Sequence, residues 1–355
     1  MTFGQNNFGK QPVNGNVIRI EYRTTVGEEA NGINTIQLKN PIDGISSTIS
    51  LRETSIGGSE RESIDSIRYF APKSIQIQER AVTESDYAVL MRNQFPEIKS
   101  ISVYGGEELS PPQYGKVVLA LYINEEESIS EAKRSKYLDY LSQRTATTVE
   151  PIFVPAKFMY FDVTSNVYYN INTTSKSTSS IESIVKDSMI NFSAENLEEF
   201  RKNFRYSKFI SSIDNSDSSI ISNDTDIRGI IKISPSRGTG ESFVLQFGNE
   251  FGVDKTFVEN RLNLYNPTIS SDSFTYNDKT VFLQDNGSGR IDLLEVVNNN
   301  FSFVQRNVGT VDYSKGDVNI KSLTYEDYRG DHINIYAKFK NKTILAPKDR
   351  ILKLN

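Results

Sequence analysis

The sequence contains no cysteine, no tryptophan and a single histidine among its 355 residues. The absence of cysteine excludes disulfides, a thiolate nucleophile and thiolate metal sites. With His332 alone, the common zinc ligand sets are excluded as well. These absences fit a protein that is assembled in a reducing cytoplasm, and they leave carboxylates as the remaining candidates for a metal site.

Long apolar runs and an excess of positive charge are also missing. No apolar stretch is long enough to predict a membrane-spanning helix. The formal net charge is −5 and the pI is about 5.3, which argues against a nucleic-acid-binding surface. Residues 1–7 carry neither a basic region nor an apolar core, so they do not predict a signal peptide.

The stretch between Gly57 and Phe95 carries the densest set of local signals. The adjacent glycines at 57 and 58 predict a backbone turn, because residues with a Cβ adopt such turns poorly. Pro72 predicts the end of any helix begun at Ser63, since proline disfavours the helical conformation of the residue before it. The alternation of isoleucine and glutamine over residues 75–78 predicts a half-buried strand.

A capped helix is predicted next. Thr83 is a suitable N-cap, and Asp86, three residues later, is placed to reach back as a shortened capping box. One apolar stripe at helical spacing then follows, formed by Tyr87, Leu90, Met91 and Phe95. The local signals of this segment agree with one another, which favours a defined structure over a loop.

The ordered run Gly-Gly-Ser-x-Arg-Glu-Ser, x-Ala-Pro and Arg-Ala-Val-Thr-x-x-Asp-Tyr over residues 57–87 resembles the baseplate J-like family of contractile phage tails, in its T-even type. The residues that carry the resemblance are Gly57, Gly58, Arg61, Pro72, Arg80, Thr83, Asp86 and Tyr87. The upstream phrases over residues 14–20 and 40–42 resemble the lead-in of the same family. The resemblance is specific over roughly residues 10–125 and weaker beyond.

The resemblance implies a structural component of the baseplate wedge, present in the virion and assembled in the host cytoplasm. It implies a homodimer, an inner ring around the central hub, contacts with other wedge subunits, and rearrangement when the sheath contracts. The composition and the lack of catalytic or metal-binding motifs, taken with this resemblance, predict no enzyme activity, no cofactor, no metal, and no nucleic-acid or membrane partner. Family members are usually longer on the N-terminal side, so the chain is expected to be the C-terminal part of a longer protein.

Two other functions stay open. The β-rich C-terminal part suits a tail adhesin that binds a host surface glycan. A tail-associated glycan hydrolase also stays possible, because its paired carboxylates need no fixed spacing in the sequence. A glycan array and a cell-wall digestion assay separate these functions from a structural one.

The apolar patterns predict an α+β fold with an extended β N-terminal segment, central sheet-and-helix lobes and a β-rich C-terminal domain. The predicted domains are residues 1–70, 71–231 and 232–355, and the middle one divides into two lobes near 151–157. In the first domain, Val17–Tyr22, Thr35–Leu38 and Thr48–Arg52 are predicted strands, with a turn at Asn31–Gly32.

In the central part, Lys116–Ile123 is apolar on both faces and predicts a strand in the middle of its sheet. A helix is predicted over Ser130–Arg144, a long strand over Phe158–Tyr169, and a helical stripe from Ile181 that continues to Phe204. The remaining predicted strands are residues 101–104, 148–153, 243–247, 280–283, 290–296, 301–305 and 333–339.

Few residues suggest chemistry. His332 lies beside Asp331 at a strand, which is typical of an ordinary strand-edge histidine, because no Gly-x-Ser-x-Gly elbow presents a nucleophile. The segment Asp285–Asp292 is the nearest candidate for a calcium loop, but its spacing favours a hairpin turn. Residues 223–226 are a weaker calcium candidate, and residues 238–240 lack the third glycine of a nucleotide-binding fingerprint. The acidic run at 125–127 favours a helix start.

Aromatic side chains are plentiful, with 18 tyrosines and 20 phenylalanines. Tyrosine suits protein contact surfaces, and five tyrosines are predicted to keep one face exposed: Tyr104, Tyr114, Tyr122, Tyr137 and Tyr140. Half-buried packing is an equally good interpretation of each. Hinges between rigid lobes are predicted near residues 151–155 and 227–232, from two prolines and from Gly229.

Overall fold

The structure is a computed structural model, and it describes residues 12–19, 21, 24, 26–40, 49, 55, 58, 61–62, 64–109, 111–123, 129–253, 267–298 and 300–355. Five helices are described: α1 Ile64–Ile77, α2 Glu84–Gln94, α3 Glu131–Ser142, α4 Thr178–Asn196 and α5 Tyr206–Asp214. The described strands up to the middle of the chain are β1 Ile98–Gly105, β2 Lys116–Ile123, β3 Glu150–Pro155, β4 Lys157–Tyr169 and β5 Ile220–Ile233. The later described strands are β6 Gly240–Gln246, β7 Ile269–Ser271, β8 Phe274–Tyr276, β9 Lys279–Asp285, β10 Arg290–Val297, β11 Asn300–Asp312, β12 Asp317–Thr324, β13 Asp327–Tyr328, β14 Ile333–Ala337 and β15 Arg350–Leu354.

The described residues before α1 form turns and extended backbone rather than strands. A short 3₁₀ helix covers Gly27–Ala30, and the predicted turn at Asn31–Gly32 is confirmed, with Gly32 at φ +82°. The predicted strands are wrong for the described residues of 17–22 and for 35–38, because an alternating sequence forms a strand only when a second segment pairs with it. Apart from Ile49, the predicted strand at 48–52 lies outside the described residues.

Helix α1 shows that two predictions are wrong: Pro72 does not end a helix, and residues 75–78 do not form a strand. Pro72 lies inside α1, and the residues predicted as a strand over 75–78 form its last turn and the turn that follows. A proline inside a helix removes one backbone hydrogen bond, yet helical spacing of the least exposed side chains continues through it. These side chains are Ser66, Phe70, Lys73 and Ile77. The helical spacing of these four side chains, three to four residues apart, matches the observed structure. The single proline and the alternation of isoleucine and glutamine do not.

A three-stranded sheet in the order β1-β2-β3 follows α2, with β1–β2 antiparallel and β2–β3 parallel. The prediction that Lys116–Ile123 is the central strand of its sheet is confirmed, and six of its eight residues are buried. Helix α3 is capped by Ser130, as its predicted start requires. Tyr137 and Leu141 are buried on the inner side of this helix, whereas Ala132 is exposed.

A second sheet of 12 strands contains all later strands, in the order β15-β4-β5-β14-β7-β9-β10-β11-β12-β6, with β8 and β13 beside this path. Helices α4 and α5 pack on it around an aromatic cluster. Its ring centroids are 4.9 Å apart for Phe161 and Phe204, and 5.1 Å apart for Phe192 and Phe209. The predicted strand over 158–169 and the predicted helix over 181–192 are both confirmed.

The helical pattern does not continue to Phe204 as predicted. Helix α4 ends at Asn196, and Phe200 and Phe204 instead form isolated backbone bridges to Ile351 and Ile344. The four-residue spacing of the two phenylalanines imitates a helix, but a left-handed residue, Arg201 at φ +63°, interrupts the segment between them. Both rings are buried in apolar clusters.

The predicted fold class is confirmed: the fold is α+β, and its C-terminal part is β-rich. Strand β5 runs unbroken through residues 231 and 232, pairing with β4 on one side and β14 on the other. The division into 1–70, 71–231 and 232–355 stays a prediction.

Candidate interaction surfaces

The start of α2 brings three of the predicted motif residues together. The carboxylate of Asp86 accepts hydrogen bonds from the backbone N–H groups of Thr83 at 2.8 Å and Val82 at 3.2 Å, and the Asp86 N–H donates to the Thr83 hydroxyl at 3.3 Å. This is the reciprocal arrangement of a capping box. Tyr87 is buried, and burial, followed by the nearby Asp86 charge, raises the pKa of its hydroxyl. Thr83, Asp86 and Tyr87 therefore define the N-terminal end of helix α2.

A glycine is required at position 58 because a side chain would not fit there, and not because the backbone is left-handed. Its N–H donates to the Asn31 side-chain oxygen at 2.9 Å, and its carbonyl accepts from the Asn31 amide nitrogen at 2.7 Å. A Cβ at this position would lie 2.2 Å from the carbonyl oxygen of Gly27. The sequence indicates a glycine constraint here, but the cause is the close approach of a second backbone segment.

The other motif residues are separate from the α2 cap. Arg61, Pro72 and Arg80 are exposed, and Gly57 lies outside the described residues. The backbone after Arg80 is fixed because Ala81 donates a hydrogen bond to the Arg144 carbonyl at 3.0 Å. The described motif residues therefore stabilise local structure and offer surface side chains, and they do not line one cavity.

Phe200 and Arg201 join the three-stranded sheet to the 12-stranded sheet. The Phe200 N–H donates to the buried Ser100 hydroxyl at 3.0 Å. The Arg201 guanidinium donates to the Val103 carbonyl at 2.8 Å and to the Glu84 carboxylate at 3.0 Å. The partners are about 100 residues apart in the chain, with separations of 100, 98 and 117. No sequence signal identifies such a pairing.

A small apolar core completes this junction. It contains Ala120, Tyr122, Phe200 and Ile351, with Val154, Ala156 and Phe158 packed against it. The Tyr122 and Phe158 rings meet edge to face with centroids 5.6 Å apart. Residues 151–155, predicted as a hinge, lie in β3 and pair with β2 beside this core. Packing on both sides of the short link opposes free rotation there.

The second predicted hinge also lies in paired backbone. Residues 227–230 of β5 pair with β4, and residues 229–233 pair with β14. Gly229 itself faces the Phe339 ring, which a Cβ would approach to 2.6 Å. This glycine therefore serves close packing, and bending at this point would break hydrogen bonds on both edges of β5.

Helix α1 exposes an apolar face. Ile64 is 61% exposed, Ile67 45% and Ile75 79%. These positions share one side of a helix, and the least exposed residues of α1 share the other. Contiguous apolar surface of this kind is typical of contact sites between proteins.

The carboxylates of the calcium-loop candidate are occupied by protein partners. Asp285 accepts hydrogen bonds from the Ile269 N–H at 2.8 Å and the Tyr313 hydroxyl at 2.6 Å. Asp292 accepts from the Arg290 guanidinium at 2.9 Å and the Asn307 N–H at 2.8 Å. Burial, followed by the hydrogen bond to Asp285, raises the pKa of the Tyr313 hydroxyl. The segment is the hairpin between β9 and β10, as its spacing predicts.

The other chemical candidates do not assemble into a site. Within the described part of the chain, no hydrogen bond joins His332 to Asp331, to Asp327 or to a serine, and Asp327 pairs with Arg237 at 3.1 Å. In the weaker calcium candidate, residues 223–226, the side-chain amide of Asn223 donates a hydrogen bond to the Asp214 carboxylate at 2.7 Å. No group of three or more His, Asp or Glu side chains within the described residues is arranged to hold a metal ion. The acidic run at 125–127 lies outside the described residues.

Three of the five tyrosines predicted to keep an exposed face are buried. Tyr104 is 6% exposed, Tyr122 4% and Tyr137 0%, whereas Tyr114 is 81% exposed. Burial, followed by the charges of Asp349 and Glu108, raises the pKa of Tyr104 to about 12. The number of tyrosines alone therefore overstates the aromatic surface available for contacts.

Among the helices that the structure describes, none has the length and apolar character needed to cross a membrane.

Comparison with known proteins relates two consecutive segments to one kind of protein. Residues 83–154 match the family model described as baseplate structural protein gp6, C-terminal domain I, and residues 157–230 match the model described as baseplate structural protein gp6, C-terminal domain III. The two matched segments correspond to α2 through β3 and to β4 through most of β5.

A curated relative, baseplate wedge protein gp6 of Enterobacteria phage T4, is 23% identical over 247 residues. The match covers 66% of this chain and 36% of the relative, so the chain spans about a third of that protein's length. A solved structure, the cryo-EM structure of the anti-feeding prophage baseplate, contains a similar chain with 18% identity and a TM-score of 0.37. That match covers 54% of this chain and 43% of the other.

Proposed function

We propose that this chain is a structural component of a contractile phage tail baseplate wedge and that it resides in the baseplate of the virion. The observation that carries the proposal is the succession of two family-model matches, over 83–154 and 157–230. The first match covers α2, the three-stranded sheet and α3, and the second begins at the first residue of β4. The two matches follow each other along the chain, both to C-terminal domains of the same baseplate protein.

The finer features of the proposal come from the resemblance of residues 57–87 to the baseplate J-like family. In this proposal the protein is a homodimer that contributes to an inner ring around the hub and contacts other wedge subunits. The ring changes its dimensions when the sheath contracts, while its subunits stay joined. The packed junction at Phe200 supports movement of the α2–β5 region as one rigid piece, with the change taken up between subunits.

The motif residues have two proposed roles. Gly58, Thr83, Asp86 and Tyr87 set the local backbone through the close approach to Gly27 and the cap of α2. The exposed side chains of Arg61, Pro72 and Arg80, and the exposed isoleucines of α1, contribute to subunit contacts. The function proceeds without a catalytic step and without a cofactor.

Gene deletion tests the proposal. In the phage that encodes this chain, we expect deletion of the gene to yield particles without complete baseplates in electron micrographs, and the gene supplied in trans to restore them. A matched deletion of a tail gene outside the baseplate should leave baseplates intact. Normal baseplates and normal infection after the deletion would contradict the proposal. Glycan binding or cell-wall digestion by the purified chain would favour an adhesin or a hydrolase instead.

A further inference from the structure

Strand β4 has a backbone edge that is only partly paired. On one side it pairs with β5 over residues 160–169. On the other side it pairs in parallel with β15, but only over residues 157–161. Among the strands that the structure describes, none lies beside residues 162–169 on that second side. A sheet edge of this kind offers a row of unpaired donors and acceptors.

The hydrogen bond that ends β15 shows which residues face this edge. The Asn355 N–H donates to the Phe161 carbonyl at 3.0 Å, so Phe161 directs its backbone groups away from β5. Backbone direction alternates along a strand, and Val163, Ser165 and Val167 therefore present their N–H and C=O groups to the same edge. An incoming strand would continue the row that β15 begins.

A groove lies between this edge and α4. Its volume is about 350 Å³. Apolar side chains from both elements line most of it, namely Val163, Val167, Tyr169, Ile181, Val185 and Met189. The groove continues the main apolar core to the surface, because Ile181 and Val185 are buried in that core and Val163, Val167 and Met189 pack against it.

The same end of β4 exposes further apolar side chains. Tyr168 is 57% exposed, Ile171 73% and Ile221 69%. Tyr168 and Ile221 lie at the register shift between β4 and β5, and Ile171 follows two residues after β4 ends. The free edge, the groove on one face of β4 and these exposed side chains near its end are together called the β4 edge surface.

We propose that the β4 edge surface binds the β4 edge surface of a second copy of this chain. Residues 163–169 of the two copies pair antiparallel and join the two sheets across a twofold axis. Val163 then lies opposite Tyr169 of the copy, Ser165 opposite Val167, and Asn166 opposite Asn166. This inference rests on the proposed homodimer and assigns it a surface.

The charge pattern of the strand favours a copy of the chain as the occupant. Residues 163–169 read Val-Thr-Ser-Asn-Val-Tyr-Tyr and contain no charged residue. The paired strands therefore meet without like-charge repulsion, and the two charged side chains that line the groove, Glu182 and Lys186, pair with each other at 2.7 Å. Proteins usually protect exposed edges with lysine, proline or a bulge. Residues 163–169 contain no proline and no charge, and their pairing with β5 is regular as far as Tyr168. An antiparallel strand paired with itself is self-complementary, which is the requirement of a twofold dimer.

Asn166 provides a specific test, because its exposed side chain lies on the proposed axis and pairs with no described group. Asn166→Lys places two ammonium groups opposite each other, and Asn166→Asp places two carboxylates there. We expect each variant alone to weaken the dimer by about tenfold or more in Kd, because like charges directly opposite across strands repel. An equal mixture of the two variants should restore the dimer as a heterodimer, measured by sedimentation equilibrium and native mass spectrometry.

A matched control is Asn319→Lys, which makes the same substitution at an exposed position of β12, near the opposite end of the strand order of this sheet. It should leave the Kd unchanged, and all variants should keep the wild-type circular dichroism spectrum. Restoration by mixing identifies this surface, since no unfolding effect produces it. A wild-type dimer that Asn166→Lys does not weaken overturns the inference and leaves the homodimer in place. A wild-type chain that stays monomeric at all concentrations overturns it as well, while gene deletion still decides the proposed function.

Discussion

At the scale of single residues, burial and close approach decide what each side chain does. Gly58 is fixed by the Gly27 carbonyl 2.2 Å from where a Cβ would stand, and Asp86 by two backbone donors at the start of α2. Tyr104, predicted as a contact residue, is instead part of the interior, where burial raises the pKa of its hydroxyl to about 12. Residue type alone does not distinguish a buried tyrosine from one at an interface.

Tyr104 gives a prediction about alkaline stability. Its folded pKa, about 12, is above the ordinary value of 10.0. Below pH 10 the hydroxyl is protonated in both states, so it does not affect the pH dependence. Between pH 10 and 12 the unfolded state loses the proton first, and the free energy of unfolding falls as pH rises. Tyr104→Phe should make this decline shallower in urea titrations from pH 9 to 12.

Tyr114→Phe is the matched control for this measurement, since Tyr114 is 81% exposed. It should leave the slope of stability against pH unchanged. Equal slopes for Tyr104→Phe and the wild type would show that the Tyr104 hydroxyl titrates alike in both states.

At the scale of elements, local signals succeed where one interaction dominates. The cap of α2, the central position of β2 and the hairpin at 285–292 follow from capping chemistry, continuous apolar sequence and turn residues. They fail where tertiary packing decides. Pro72 lies within α1 because helical burial continues on both sides of it, and α4 ends before Phe200 because that residue pairs with Ile351.

The junction between the two sheets gives the element-scale prediction. Arg201→Ala removes hydrogen bonds to Val103 and Glu84. Because Arg201 is about half exposed, we expect a loss of about 1 kcal/mol in the free energy of unfolding. Amides of β1 should also exchange faster with deuterium, as the junction loosens. Lys202→Ala is the control, since the Lys202 ammonium is half exposed and lies 3.6 Å from the carboxylate of the neighbouring Glu199. Its exchange pattern should match the wild type. Unchanged β1 exchange in Arg201→Ala would mean that the apolar core and the Phe200–Ser100 hydrogen bond fix the junction without Arg201.

At the scale of the whole molecule, long-range pairing organises the chain. Strand β15 at the C-terminal end pairs with β4, nearly 200 residues earlier, at Arg350 and Lys157. Strand β15 is the terminal strand at one end of the 12-stranded sheet, and it places Ile351 in the junction core. The exposed apolar side chains of α1 and of the end of β4 are the surfaces proposed here for assembly.

The α1 face gives a prediction about assembly. Ile75→Asp introduces a charge at a side chain that is 79% exposed, so the free energy of unfolding should change by no more than about 0.5 kcal/mol. Incorporation into baseplates should fall, because burying the carboxylate in an apolar contact is costly. Complementation of the gene deletion, scored by plaque number and electron microscopy, measures the effect. Gln76→Asp, the adjacent exposed position, is the control and should complement fully. Full complementation by Ile75→Asp would remove α1 from the proposed contacts.

The sequence by itself determined the α+β class, the β-rich C-terminal part, most strands after residue 98 and the capped start of α2. It did so because these features depend on neighbours within a few residues, where alternation, helical spacing and capping chemistry act. Only the tertiary structure decided that Phe200 ends a helical pattern, that residues 151–155 pair with β2 and residues 227–230 with β4, and that β15 pairs with β4 only as far as residue 161. Each of these depends on a partner about 30 to 200 residues away, and a sequence pattern carries no information about which distant segment supplies it.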